Sequence, residues 1–398
     1  MKSITRSSIV LLSFVFVLIS CDNDGPDTSI DSVKSLIYPL DNYSVELQST
    51  GNDIVFEWEE VKENGILYQI AFDHSSGDFS NPVYIMNSDN NGGSSSVSLS
   101  QKDLNKIARL MGLKSSETGS FKWSVISIRG LTTMKAAQEH TITVKRMSGF
   151  DNLPLAVYLS GAGSEAGANI SDALIMQRIE DGVFEIYSQL KEGQPYGFVN
   201  EKTSMATKFY YDGEVIREGD VTMTVPKTGI YHINLDFTTG SASYREILRV
   251  ALFHNANQVY LWLPYQGYGV WGSGFELTEA GIFNNTEVAE TNANNRPSGN
   301  PVTSNLGTDD RYKFRMGSRQ LDSEDEVITE WRTLLANDNK PGGSPKPEWY
   351  HMIERSNVEQ WTNNQIWKIQ PGAWMGITID VTFELKGDAP YTHTFVVK

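Results

Sequence analysis

The sequence predicts an all-β protein with three domains in series. Short runs of alternating apolar and polar residues recur along it, separated by turn pairs such as Gly51-Asn52, Asn64-Gly65 and Asp212-Gly213. Aromatics make up 11% of the residues, and Gly, Ser, Asn and Thr fill the intervals between runs. The stretch after residue 253 partly repeats the one before it, which marks a duplicated sandwich module.

The chain opens on a basic start, Lys2 and Arg6. An apolar run from Ile9 to Ile19, broken by Ser13, leads to Ser20 and the single cysteine, Cys21. This is the layout of a secretory signal. The run is too short to cross a bilayer, which takes ~20 apolar residues. Leu18-Ile19-Ser20-Cys21 resembles a bacterial lipobox, which implies cleavage before Cys21 and its lipidation. The alternative is an ordinary cleaved signal with an incidental cysteine. A lone thiol in an exported protein favours the lipid. Residues 1–20 are therefore read as the signal, and 21–33 as the lipidated cysteine with a flexible acidic tether. The acidic cluster after Cys21 resembles the surface-export signal of Bacteroidetes lipoproteins.

About 378 residues follow the signal, too many for one core. With no second cysteine there is no internal disulfide, so each domain rests on packing. A formal net charge of −16 excludes a nucleic-acid partner, which needs a basic face to replace counterions. No later segment is apolar and long enough to span a membrane, so attachment falls to the lipid.

Residues 34–147 read as the first domain. Ile54–Trp58, Tyr68–Phe72 and Phe121–Ile128 alternate, and Thr141–Val144 is β-branched. One helix interrupts them. Ser100 caps it, Asp103 stands three residues on, Leu104, Ile107, Ala108 and Met111 share a face, and Gly112 ends it. Strands at this spacing predict an immunoglobulin-like sandwich, with Trp58 and Trp123 in its core. Residues 148–252 form a second module, with strand patterns at Val157–Leu159, Phe184–Tyr187, Lys208–Tyr211, Val221–Val225 and Tyr231–Asp236 and no tryptophan. Residues 253–398 form the third. Val259-Tyr260-Leu261 echoes Val157-Tyr158-Leu159, and 371–380 echoes 227–236. This module carries a long inserted loop, about 317–366, with few strand signals.

Together these features resemble the SusE/SusF-type surface lipoproteins of Bacteroidetes glycan-utilisation systems. The residues that carry the resemblance are the lipobox, the Trp58 strand, and Leu104-Asn105-Lys106-Ile107 followed by Met111-Gly112-Leu113 and the Trp123 strand. The duplicated module ends and Pro390-Tyr391-Thr392-His393-Thr394 also match. The resemblance implies an immunoglobulin-like spacer followed by carbohydrate-binding sandwiches without catalysis. It further implies an outward-facing, outer-membrane location, and as partners a TonB-dependent transporter and a companion glycan-binding lipoprotein.

A sugar ring offers apolar C–H faces rimmed by hydroxyls, so its site needs flat aromatic plates flanked by polar side chains. Seven of the nine tryptophans lie between residues 262 and 374, which places binding in the last module and makes the two earlier domains spacers. Trp262, Trp367 and Trp374 read as core. Trp271 sits in a Gly-rich turn. Trp349, Tyr350 and Trp361 sit in polar surroundings that include Asn363. Trp331 with Leu334 and Leu335 fits a short helix packed on the sandwich. Arg311, Lys313 and Arg315 alternate along a strand. The candidate carbohydrate-binding residues are thus Trp271, Trp349, Tyr350, Trp361, Trp331, Arg311 and Asn363, with oligo- or polysaccharide as the ligand.

Two rival classes stay open: a surface glycoside hydrolase, and a purely structural or adhesive lipoprotein. A hydrolase needs two carboxylates ~5–10 Å apart, and no spacing singles out a pair. The six histidines form no zinc motif, and no Gly-x-Ser-x-Gly occurs. No cofactor or metal is expected. The weak exception is calcium at Asp322-x-Glu324-Asp325, which lacks the glycine of a calcium loop.

Overall fold

The computed structural model describes residues 30–255, 269–274, 276–279, 282–285, 311–333, 347–356, 367–368, 379–385 and 390–397. The signal, Cys21, most of the tether, Trp262, Trp361, Asn363 and Trp374 lie outside them. The chain is all-β, with one α-helix among the described residues. Its contacts divide it into two compact units. The first runs to Tyr43 and adds Val55–Ser98 and Phe121–Ile142; the second is Ser44–Ile54, Leu99–Ser120 and the chain from Thr143.

The strands between Leu36 and Lys145 form two sheets. Leu36–Tyr38, Ile54–Trp58 and Ser96–Leu99 form one sheet in that order. The other runs Tyr43–Glu46, His140–Lys145, Thr118–Arg129, Leu67–His74, Tyr84–Asn87, with Thr132–Lys135 paired to the long strand. Period-2 alternation buries Phe56 and Trp58 and leaves Val55 and Glu57 outside. Phe56 reaches the facing sheet edge-on, 5.0 Å from Trp123 and 5.5 Å from Phe72. Trp58 and Trp123 are sealed, as expected.

The second unit holds the helix, Gln101–Leu110. The Ser100 side chain accepts from the Asp103 N–H, Leu104, Ile107 and Ala108 are buried, and Gly112 takes the left-handed conformation (φ +88°) that ends the helix.

The rest of this unit is built on one nine-stranded antiparallel sheet. Its main path runs Gln177–Glu180, Val183–Leu190, Gly229–Asp236, Ser241–Asn255, Arg311–Gln320, Val327–Thr333, Met352–Arg355. Gly269–Gly274 pairs with Ser241–Asn255, and Trp367–Lys368 with Arg311–Gln320. One face covers a core shared with a five-stranded sheet, ordered Leu174–Ile175, Tyr158–Ser160, Gly197–Val199, Lys208–Tyr211, Ile216–Glu218; this core holds Phe184, Ile186, Phe198, Phe209 and Ile233. The other face covers a core shared with a four-stranded sheet, Glu276–Glu279, Ile282–Asn285, Ile379–Glu384, Thr392–Val397; this core holds Tyr187, Phe314, Trp331, Trp367 and Phe383.

Four expectations are corrected. The sheet does not stop at residue 252. The strand Ser241–Asn255 pairs with Gly229–Asp236 along its first half and with Arg311–Gln320 along its second, so the regions read as consecutive modules share it. The stretch read as an inserted loop contributes Val327–Thr333 and Met352–Arg355 to the same sheet. Trp331 therefore lies on a strand and not on a short helix; Leu334 and Leu335 fall outside the described residues. Charged residues at alternate positions, Glu330 and Arg332, hid the strand pattern because they are buried by pairing with each other. Val221–Val225, which alternates well, makes only isolated bridges at Met223 and Val225.

Candidate binding surfaces

A cleft of about 310 Å³ opens beside the five-stranded sheet. Three of its strands line it: Tyr158–Ser160 gives Ser160, Gly197–Val199 gives Phe198, and Lys208–Tyr211 gives Lys208 and Phe209. Its end is closed by Gly161 (φ +120°), where a Cβ would stand 2.6 Å from the Pro195 carbonyl oxygen, so only glycine lets these two segments meet. The walls are apolar. The rim is polar: Lys208 Nζ pairs with Asp220 Oδ1 at 2.8 Å, and Ser160 and Thr222 add hydroxyls. Tyr196 lines the cleft and is nearly sealed; burial pushes its phenol to about 12, with a hydrogen bond accepted from Tyr244 opposing, so it stays protonated at neutral pH. Apolar walls under a rim of hydroxyl and charged groups match the two surfaces of a saccharide ring. Among the described residues no tryptophan lines this cleft, so the aromatic pattern of the sequence does not point to it. The available signal was Gly161-x-Gly163 directly after a strand.

The residues nominated from sequence do not gather at this cleft. Trp331 is 1% exposed and packs against Phe383 and Tyr391 in the core, so it offers no plate to a ligand. Trp367 is equally sealed, as expected. Trp349 and Tyr350 end a short 3-10 helix, Pro347–Tyr350, and are half-buried. The Trp349 carbonyl accepts from Trp367 Nε1 at 2.9 Å, and Tyr350 stands edge-on to buried His393, 5.3 Å away. Both are thus anchored to the core while keeping part of their surface in water. Arg311 begins the strand Arg311–Gln320 and is the Cα partner of Lys368; Trp271 is the Cα partner of Phe253 on the adjoining edge. Their side chains, and all of Trp361 and Asn363, lie outside the described residues.

Beyond the five-stranded sheet, the same face of the central sheet carries a ladder of charges. Glu246 pairs with Lys227 (2.9 Å) and Arg319 (2.8 Å), and Arg249 with Glu326 (2.8 Å). The acidic run 322–326 is in part the complement of these arginines, since Glu324 also meets Arg319 at 2.7 Å. Glu330, fully buried, takes Arg315 on Oε1 (2.9 Å) and Arg332 on Oε2. Burial lowers the Arg315 guanidinium below its ordinary value, Glu330 opposes this, and the like charge of Arg332 adds to it. On the opposite face a second network crosses four strands. His232 Nδ1 accepts from Arg245 (2.7 Å), which puts the ring proton on Nε2, where it is donated to Glu185 (2.8 Å). Arg245 also holds Glu354 through two contacts, and Tyr391 donates to Glu185. Burial works against the Glu185 carboxylate, but His232 and Tyr391 outweigh it and hold the acid below its usual range.

The fold sets the class first: an all-β protein of packed antiparallel sheets with a cleft beside one of them. Residues 22–126, about a quarter of the chain, match the family model described as SusE outer membrane protein. Among solved structures it aligns with the crystal structure of SusF from Bacteroides thetaiotaomicron at 10% identity, covering 90% of this chain and 74% of that one with a TM-score of 0.24. So loose a superposition transfers no individual position. No curated protein matches the chain.

Proposed function

We propose that this protein is a non-catalytic lipoprotein of the outer membrane, facing outward through lipid on Cys21. It captures oligo- or polysaccharide and passes it to a TonB-dependent importer with a companion glycan-binding lipoprotein. The observation that carries the reading is the cleft at Ser160, Phe198, Lys208 and Thr222, whose apolar walls and polar rim suit a sugar ring. The SusE match over residues 22–126 supports the setting. Trp349 and Tyr350 remain the aromatic plates on offer, with Trp271 and Trp361 proposed beside them; Trp331 is withdrawn. The cleft also gives the middle region a part in binding beyond that of a spacer. Its one lining carboxylate, Asp220, is paired with Lys208, whereas glycoside hydrolysis uses two carboxyl groups across the scissile bond.

Native affinity gels of the mature full chain cast with neutral and with acidic polysaccharides, run beside a reducing-sugar assay, test the reading. Retardation without release of reducing ends is expected. Release of sugar ends, or free migration in every gel, overturns it. The Lys208→Ala/Asp220→Ala variant assigns binding to the cleft if retardation falls.

A further inference from the structure

One cross-strand row on the central sheet has more positive charge than the described residues neutralise. Gly274, Ala251, Arg315, Glu330 and Arg355 are successive Cα partners on five adjacent strands. Residues directly opposite in an antiparallel sheet present their side chains to the same face. Glu330 is the buried carboxylate of this row, and both its oxygens are occupied, one by Arg315 and one by Arg332. Arg355 is next in line and finds no carboxylate left. It is half-buried, it makes no hydrogen bond or ion pair among the described residues, and its Nε is shut off from solvent without a partner. A guanidinium taken out of water and left unmatched is unfavourable. Elsewhere on this face Arg249 and Arg319 each meet a glutamate. At its far end the row finishes in alanine and glycine, the two smallest residue types, on the strand edge that also carries Trp271. The setting sharpens the contrast, because a chain of net charge −16 repels polyanions everywhere except where arginines are concentrated.

We infer that Arg355, held at the end of the Arg315–Glu330 row, is a binding site for an oxyanion carried by a saccharide, either a uronate carboxylate or a sulfate ester. The inference rests on the proposed saccharide-binding function and narrows its ligand class to acidic glycans. Both groups present two oxygens at the spacing of the guanidinium fork, and neutral sugars present none with charge.

Calorimetric titration of the mature full chain with two matched pairs tests it: oligogalacturonate against its methyl ester, and sulfated dextran against dextran. The acidic member of at least one pair is expected to bind roughly tenfold more tightly than its neutral counterpart, with the difference shrinking as salt rises. Preference within the uronate pair alone identifies a carboxylate, and within the sulfate pair alone a sulfate ester. Arg355→Gln is expected to weaken acidic binding roughly tenfold, and Arg355→Lys by less, since it keeps the charge and loses the fork. Lys145→Gln, which removes one exposed charge from a pair with Glu46, serves as the control and is expected to change binding less than about twofold. Equal loss in the control, native affinity in Arg355→Gln, or preference for the neutral member of both pairs overturns the inference. If Arg355→Gln fails to fold, Arg355→Lys binding acidic sugar as the native protein does overturns it. Binding of neutral sugars alone leaves the proposed function standing, whereas binding of neither class removes both.

Discussion

Ile186 and Tyr187 are consecutive in the chain and belong to different cores. Ile186 faces the five-stranded sheet, and Tyr187 faces the four-stranded one, where it stacks on His232 at 4.3 Å with the rings nearly parallel. The central sheet is thus a shared wall, apolar on both faces at this point. Neither core keeps its lining without it.

Truncating either residue tests this arrangement. Ile186→Ala is expected to destabilise the protein by about 2–5 kcal/mol in urea unfolding, the usual range for emptying a packed site. Tyr187→Phe is expected to be neutral, or to stabilise by up to about 1 kcal/mol. The Tyr187 hydroxyl is buried without a partner among the described residues, and burial drives its ionisation far out of reach. A large loss in Tyr187→Phe would mean that the hydroxyl is bonded after all.

Glu330 is the hinge of the arginine row. Glu330→Gln leaves Arg315 and Arg332 buried without their shared carboxylate, and is expected to lower stability by about 3–5 kcal/mol. A thermal melt of the variant unchanged from native would show that other groups neutralise those arginines.

His393 sets an acid limit. It is sealed among Phe314, Trp367 and Tyr350, and burial lowers its imidazole to about 3, with the hydrogen bond the ring donates to the Tyr350 backbone carbonyl opposing. Once unfolded, the ring takes a proton near pH 6.5. The unfolded chain therefore binds more protons between about pH 6.5 and about 3, and stability falls as the pH drops through that window. Glu185 contributes in the same direction below its unfolded value of about 4.3, because its folded carboxyl is held lower. Denaturation midpoints measured from pH 7 to pH 4 are expected to decline in the native protein and to flatten in His393→Gln.

Trp331 and Trp349 separate packing from binding. Trp331→Ala is expected to cost about 3–5 kcal/mol of stability by emptying the core. Trp349→Ala is expected to weaken saccharide binding about tenfold, roughly 1.4 kcal/mol, with a smaller change in melting temperature. Equal affinities for native and Trp349→Ala would remove Trp349 from the binding surface.

Much of this structure was legible beforehand. The strand of Phe56 and Trp58 and the helix capped by Ser100 were read correctly because their signals are local: alternation, a hydroxyl at the cap, a glycine at the stop. Val327–Thr333 was missed because Glu330 and Arg332 look like surface residues until each is seen to neutralise the other. Trp331 was mistaken for a helical residue for the same reason. The cleft was missed because apolar backbone turns and a Lys208–Asp220 pair, not tryptophans, build it.

By itself the sequence determined the all-β class, the strand periodicity in each region and the aromatic residues that fill the cores, since these depend on neighbours two to four positions away. Only the tertiary structure decided that one sheet serves two cores, that Glu330 is spent on two arginines and that Arg355 has no partner among the described residues. Those outcomes depend on which strands lie side by side, and residues such as Glu330 and Arg355, 25 positions apart in the chain, become partners only through the register of that sheet.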